Sequence, residues 1–510
     1  INITSSELAP ATIPVTMTVS GYDATPRLPF IDITSSYNGI VSLPENIDSL
    51  FSAIANRYTH ILTPNNERIP LLIQDDFSVD QIIHVRKVLQ SYLTDIPNSN
   101  LGSNKDQIAN SIAATNAILL LLNDDSEYDN PDLWALFDAG VKGQDILATE
   151  VVPEGSNNYM NSAVRDATYE EVLHFIHVYG IQLAAPGMQS IIDNAMAQAI
   201  DNGYYQPLFD IPPEDYDEEY FAIGVECYFG LWAHDPNGDG YCGDQEYAFI
   251  DRESMAQGDS LLFNLIQGFL GGLWKYTAIL PDSFEGVFFL SSQDTLDYTN
   301  RSQYLESVSL SGIGPGNLYG NEHLNELTGN AGDNIFQGFF GDDRINGGDG
   351  NDRVVYIGDR NDYVVLPPYV SDDSSYHILD LIPNRDGRDH LWGIEELEFN
   401  GVVFHIDDLL DNKVNTVPYE FALFAPYPNP FNPKTRISFS TEKYGKIELN
   451  IYDINGRLVN VLMNEKVDIG YYELEWDAKD SNGNVVSAGV YFIEFTGGAY
   501  KSVRKVLLLK

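Results

Sequence analysis

Basic residues are scarce in this chain: 28 Lys and Arg stand against 75 Asp and Glu among 510 residues, a net charge of -47. A field of that sign repels nucleic acid and anionic membrane and favours solubility and bound cations. Cysteine is scarcer still, with Cys227 and Cys242 alone. Neither CxxC nor zinc-finger spacing is present, and in an oxidising compartment a disulfide closing that short loop is the expected state. Long apolar runs are also lacking. The longest, residues 111–122, is too short to cross a bilayer, so no transmembrane segment is expected. The chain opens Ile1-Asn2-Ile3 without Met, a basic n-region or an apolar h-region, which implies a removed signal peptide or a fragment.

What is present points to several domains. Hydrophobic residues make up 44% of the chain, enough for packed interiors, and 510 residues exceed one compact core. From Val417 onward 11 basic and 11 acidic side chains balance, so the preceding stretch carries the whole -47. Residues 1 to about 300 mix short strands such as Leu71-Leu72-Ile73 with helical periodicity over 79–93, 104–122, 168–178, 189–202, 218–232 and 260–270. Thr168, with Glu171 three residues on, has the form of a capping box. This region reads as a mainly helical α+β domain.

The texture changes near Gly312. From Gly329 the chain reads GNAGDNIFQ, GFFGDDRIN, GGDGNDRVV, three nine-residue units ending at Val355. Gly permits tight turns, Asp supplies hard oxygen ligands and the large apolar residue packs inside, as in a parallel β-roll with calcium between its turns. With the YIGDRNDYVV and RDGRDHLWGIEELEFNG segments that follow, residues 316–405 resemble the RTX-type calcium repeats and tail of exported bacterial proteins. The resemblance implies Asp333, Asp343 and Asp352 as calcium ligands, Asp343 and Asp352 foremost.

Asp411 to Pro418 reads as a linker. Beyond it, short alternating runs separated by Asn455-Gly456 and Asn482-Gly483 turns predict a β-sandwich. The succession YPNPFNP, IELNIYDINGRLV, Trp476-Asp477, SNGNVVSAGVYF and KSVRKVLLLK resembles the type A sorting domain of the type IX secretion system, over residues 418–510. That implies an Ig-like sandwich, the secretion machinery as partner, and a secreted or cell-surface protein of a Gram-negative bacterium.

The stretch DATYEEVLHFIHVYG carries the chemistry. On a helix, Glu170, His174 and His177 fall at i, i+4 and i+7, with Glu171 beside them. This is the spacing of HExxH zinc sites, in which the Glu is general base, with Glu170 standing where the first His would be. Glu219 and Glu226, seven apart, share a face of a second helix. The run Glu218-Glu219-Tyr220-Phe221-Ala222 resembles the Glu-Phe-Phe-Ala segment of anthrax lethal factor C-terminal-like metallopeptidases. That resemblance implies a zinc site with His174 and Glu219 as ligands, Glu170 or His177 completing it, Glu171 as base, and Tyr216 or Tyr220 stabilising an oxyanion.

Between these helices and the repeats, Asp235, Asn237, Asp239, the Tyr241 carbonyl and Glu246 have the spacing of a twelve-residue EF-hand calcium loop, with Cys242 at its eighth position. The combined expectation is an exported, calcium-stabilised, zinc-dependent metallopeptidase-like protein acting on protein or peptide. It would comprise an α+β domain over 1–300, a β-roll over 312–410 and a sandwich over 418–510. The rival is a catalytically inactive, calcium-dependent surface or adhesive protein. Chelating calcium is expected to lower the melting temperature of the intact chain; identical melting with and without calcium would refute calcium bracing.

Overall fold

The computed structural model describes residues 25–509 apart from 162–163, 210, 233–237, 244, 367–374, 383–384, 412–420, 442–443, 468–469 and 499. Its first sheet contains β1 (Val41–Ser42), β2 (Arg57–Leu62), β3 (Arg68–Ile73), β4 (Ile118–Leu122) and β5 (Gly143–Leu147), in that spatial order. The β1–β2 and β2–β3 pairs are antiparallel, and β3–β4 and β4–β5 are parallel. Both β3 and β4 are apolar almost throughout because both faces of the sheet are covered. Leu71, Ile73, Leu119 and Leu121 face one core; Leu72, Ile118, Leu120 and Leu122 face another, with Phe51, Leu133 and Leu136.

The crossover from β3 to β4 contains α1 (Val79–Leu93) and α2 (Asp106–Thr115). Ser78 and Gln81 form a reciprocal capping box at the start of α1. The expected helix over 104–122 is instead a helix and a strand. Asn116, at φ +55°, adopts the left-handed conformation that stops α2, and the apolar run beyond it enters the sheet. Then come α3 (Thr168–Ile176), α4 (Pro186–Asn202), α5 (Tyr216–Tyr228) and α6 (Ser260–Leu270). Thr168 is not the cap of α3: Ala167 holds that position without a side-chain bond, and Asp166 Oδ1 accepts from the Thr168 N–H at 3.2 Å.

A two-sheet coil follows, starting before the glycine-rich units. Its strands are β6 (Trp274–Leu280), β7 (Gly286–Phe289), β8 (Leu305–Leu310), β9 (Gly316–Tyr319), β10 (Glu326–Thr328), β11 (Ile335–Gln337), β12 (Arg344–Asn346) and β13 (Arg353–Tyr356). Even strands pair in parallel in one sheet and odd strands in the other. Leu327 pairs with Ile345 and Phe336 with Val354, one turn per 18 residues, or two nine-residue units. A hairpin of β14 (Tyr363–Leu366) and β15 (Tyr376–Asp380) interrupts the coil. The chain then re-enters as β16 (Arg388–Trp392), parallel to β12, and β17 (Glu396–Phe399), parallel to β13; β18 (Val402–His405) closes the edge.

The last region packs a three-stranded sheet of β19 (Ala422–Leu423), β20 (Thr435–Thr441) and β23 (Gly470–Trp476) against four other strands. These are β21 (Gly445–Asp453), β22 (Leu458–Val467), β24 (Gly489–Gly497) and β25 (Tyr500–Leu508). Trp476, Phe439, Ile493 and Phe495 lie in a core of its own. Arg388 of the coil bonds Glu473 and Ser438 there, and Arg436 reaches His390 at 3.1 Å.

One apolar core runs from the first sheet through α3, α5 and α6 into the coil interior, to Phe336, Ile345, Val354 and Leu391. Trp274, opening β6, sits at the seam. It stacks on Phe229 at 3.9 Å and meets Tyr92 and Tyr169 at 5.6 and 4.8 Å between centroids.

Beside the seam lies a buried ionic cluster. His84 of α1 meets Glu154 through Nδ1 at 3.1 Å and Asp166 through Nε2 at 2.9 Å. Tyr276 of β6 donates to Glu154, and Asp166 accepts from the Val152 N–H. Burial opposes the imidazolium charge, but Glu154 and Asp166 outweigh it and push the His84 pKa up to about 10. His84→Gln leaves two buried carboxylates without their cation and is expected to destabilise by about 3–5 kcal/mol in urea unfolding. Since the folded pKa exceeds the ordinary imidazole value of 6.5, the His84 contribution is complete below that pH and fades as pH rises toward about 10. Wild-type stability should fall across this alkaline window, with the slope reduced in the variant.

Candidate metal centre

Helix α3 buries Tyr169, Val172, Leu173, Phe175 and Ile176 and turns Glu170 and His174 toward α5, with Glu171 beside His174. On the facing helix, Tyr220 to Tyr228 are all buried, while Glu219 emerges beside His174. Among the described residues, Glu170, His174 and Glu219 bring one ligand atom each within 4.8 Å of one another. His174 Nε2 stands 3.7 Å from Glu219 Oε2, and Nδ1 stands 3.8 Å from Glu171 Oε2. Both gaps are too wide for hydrogen bonds, and Nε2 is buried without a partner. Ligands of a tetrahedral zinc at about 2.0–2.1 Å stand roughly 3.3 Å apart; the His174–Glu219 gap of 3.7 Å is a little wider than that, and the trio as a whole spreads to within 4.8 Å.

Electrostatics favour a cation here. Burial disfavours the His174 imidazolium, yet Glu171, Glu219 and Glu170 outweigh it and push its pKa up to about 10. Burial raises Glu219 and pushes neighbouring Glu218 up to about 7, and Glu218 Oε2 has no hydrogen-bond partner. Glu171 Oε2 accepts from Gln144 Nε2 of β5 at 2.8 Å, which fixes the carboxylate beside His174.

Other expected members lie elsewhere. His177 begins a π-turn (His177–Ile181), and its Nε2 contacts Gln189 Oε1 of α4 at 2.8 Å. Glu226 is fully buried; Arg165 binds it at 2.9 and 2.8 Å, and Trp232 Nε1 donates to it at 2.9 Å. Tyr220 is buried with its hydroxyl donating to Asp259 Oδ2 at 2.7 Å, so it does not face the cluster. Tyr216 opens α5 and packs against the core.

Arg165 was not a candidate on sequence. It bonds Glu170 as well as Glu226, and a lone Arg upstream of the motif carries no periodic or spacing signal. Burial opposes its charge, but Glu226 and Glu170 raise its pKa above the ordinary value.

In the EF-hand-like stretch, Asp235 and Asn237 lie outside the described residues. Asp239 Oδ1 accepts from the Tyr241 N–H at 3.0 Å, a local turn, and Glu246 Oε1 is buried without a partner. The expected disulfide is not formed: Cys227 and Cys242 are buried thiols. Cys227 Sγ donates to the Phe249 carbonyl at 3.0 Å, and Cys242 sits in a backbone bridge with Tyr247.

Along the coil, Asp343 and Asp352 are wholly buried, each with its Oδ2 unpartnered. Burial pushes Asp343 up to about 8 and Asp352 up to about 6. Asp333 is exposed, its Oδ1 accepting from the Asn351 N–H at 2.9 Å, while Asn334 fills the inward place beside it.

Residues 425–509 match the family of secretion system C-terminal sorting domains. Residues 319–354 match the RTX calcium-binding nonapeptide repeat in four copies. The chain is therefore an exported protein with calcium-binding repeats and a sorting tail. Its tail belongs to type IX secretion in Bacteroidetes-type Gram-negative bacteria and marks it for release or attachment at the cell surface. No helix among the described residues is long and apolar enough to cross a membrane.

No curated protein matches the chain. FlgD from P. aeruginosa is similar at 25% identity over 14% of this chain and 57% of its own, with a TM-score of 0.12. Dimeric latent PorU from Porphyromonas gingivalis is similar at 16% identity over 26% of this chain and 12% of its own, with a TM-score of 0.16. PorZ, a surface component of the type-IX secretion system of Porphyromonas gingivalis, gives 16% identity over 29% and 16%, with a TM-score of 0.14. At such TM-scores these likenesses carry no argument.

Arg165→Met leaves Glu226 buried without its cation and is expected to lower stability by about 3 kcal/mol in denaturant unfolding. A change under about 0.5 kcal/mol would show that Glu226 does not depend on this pair.

Proposed function

We propose that the exported cargo is a zinc-dependent hydrolase of the metallopeptidase type, acting on protein or peptide and braced by calcium in the coil. The observation that carries this reading is the approach of Glu170, His174 and Glu219 to within 4.8 Å, with His174 Nε2 buried and unpartnered. Those three side chains would hold the ion, and a bound zinc would supply the positive charge that polarises a carbonyl and acidifies water. Glu171, held by Gln144 beside His174, is the group that accepts a proton from water. The EF-hand-like loop ending at Glu246 belongs to the same reading as a second calcium element. The organisation proposed is cargo that gives way to the coil at Trp274 rather than near residue 300, a calcium β-roll over 312–410 that continues the first coil strands, and an Ig-like sorting sandwich over 418–510; the separate core of the last supports its boundary.

A second reading, an inactive calcium-dependent surface or adhesive protein, is favoured by Arg165. Its guanidinium already neutralises Glu170, the residue at the broken position of the zinc motif.

Metal analysis after chelation, dialysis and reconstitution separates the two. The hydrolase is expected to retain about one zinc per chain, lost in His174→Ala, and to digest protein substrates in a reaction lost in Glu171→Gln while zinc stays bound. Wild-type protein that retains no zinc and digests nothing with calcium restored would leave the surface-protein reading standing.

A further inference from the structure

One arginine stands between the candidate centre and a carboxylate that the centre does not use. Arg165 precedes α3 and reaches across to α5. Its Nε bonds Glu226 Oε1 at 2.9 Å and its Nη2 bonds Glu226 Oε2 at 2.8 Å, a planar fork on one carboxylate. The same Nη2 also bonds Glu170 Oε2. Glu170 and His174 belong to α3, and Glu219 and Glu226, seven apart, share a face of α5. The guanidinium is therefore wedged against one end of the cluster formed by Glu170, His174 and Glu219.

The two carboxylates are held unequally. The Glu226 side chain is fully buried and takes a further hydrogen bond from Trp232 Nε1 at 2.9 Å. The Trp232 ring also faces the guanidinium, 5.2 Å from its central carbon to the ring centroid. Two bonds and a ring thus anchor Arg165 at Glu226. Glu170 is 18% exposed and meets the arginine through a single bond, so it is the partner able to turn away.

Charge gives this asymmetry a consequence. Glu170 cannot give its full charge to a guanidinium and to a metal ion at once, and two cations sharing it repel each other. A carboxylate behind a ligand histidine raises the ligand's basicity, whereas a guanidinium on a ligand carboxylate lowers it. The capture depends on Glu170 standing where an HExxH motif has its first histidine. A neutral imidazole at that place would offer the guanidinium no charge.

We propose that Arg165 is a built-in competitor for the metal centre. With no ion bound it occupies Glu170. When a divalent ion enters, Glu170 passes from the guanidinium to the ion, and Arg165 stays on Glu226 and Trp232. The exchange sets a threshold, so the centre fills only where free zinc is high enough to displace the internal cation. The threshold exists only if Glu170, His174 and Glu219 bind metal, so it rests on that reading and adds how the site is regulated. Arg165 itself touches neither the ion nor the substrate.

The test is a zinc titration of the full chain against a zinc-selective chromophoric chelator, with calcium present throughout and folding checked by thermal melting. Arg165→Met combined with Glu226→Gln removes the competitor without leaving a buried charge, and should bind zinc about tenfold more tightly than wild type. Glu226→Gln alone takes away the anchor, leaves the guanidinium to Glu170, and should bind zinc more weakly than wild type. A role confined to stability would not move the two affinities in opposite directions. Arg165→Lys, whose point charge can hold Glu226 but cannot fork to Glu170 as well, should also tighten zinc and serves if the double variant does not fold. Folded double-variant or Arg165→Lys protein with zinc affinity equal to or weaker than wild type overturns the competitor and leaves the metal centre standing. Zinc bound by neither wild type nor any folded variant overturns both.

Discussion

A carboxylate taken out of water needs a cation, and this chain has far more carboxylates than bases. The fold meets the constraint in different ways. At the seam between helices and coil an imidazolium, His84, is shared by Glu154 and Asp166. Beside the candidate centre a guanidinium, Arg165, is shared by Glu170 and Glu226. In the coil, Asp343 and Asp352 keep unpartnered buried oxygens within the stretch that matches calcium-binding repeats, where the compensating charge can come from solution. Tethered cations stabilise at any calcium level, whereas recruited ones stabilise only where calcium is plentiful.

These devices share one frame. Asp166, held by His84, also accepts from the N–H groups of Val152 and Thr168 and so fixes where α3 begins. That start sets the rotation of α3 and thereby the side on which Glu170, Glu171 and His174 emerge. Trp274 joins the same region to the coil by stacking on Phe229, just beyond α5, the helix that carries Glu219. The candidate centre, the ionic cluster and the coil therefore rest on one packed interior, and loosening any of them is felt by the others.

Much of this was legible from local pattern. Periodicity found α1, the α3–α5 pair and α6; nine-residue spacing found the coil, and alternation found the sandwich. The i, i+4 spacing of Glu170 and His174, with Glu219 on a second helix, singled out three side chains that meet in space. What escaped was non-local. A short run such as Ile118–Leu122 has no period to distinguish strand from helix, and the left-handed Asn116 decides it. Arg165 matters through its partners Glu170 and Glu226, which lie on two different helices. The coil starts at Trp274 with strands that lack the Gly-Asp signature, and Asp389 resumes the pattern after a hairpin has broken its period.

The seam has a kinetic meaning. Lys87 Nζ of α1 donates to the Thr277 carbonyl across 190 residues, and the Lys275 N–H bonds Ser91 Oγ across 184. Contacts so distant along the chain close only after large loops have been ordered, which makes folding slow. During synthesis α1 is complete long before β6 exists, and its apolar face waits for the coil to arrive. The first sheet and its helices thus emerge as an unfinished half whose exposed surface must be kept from aggregating until the rest is made.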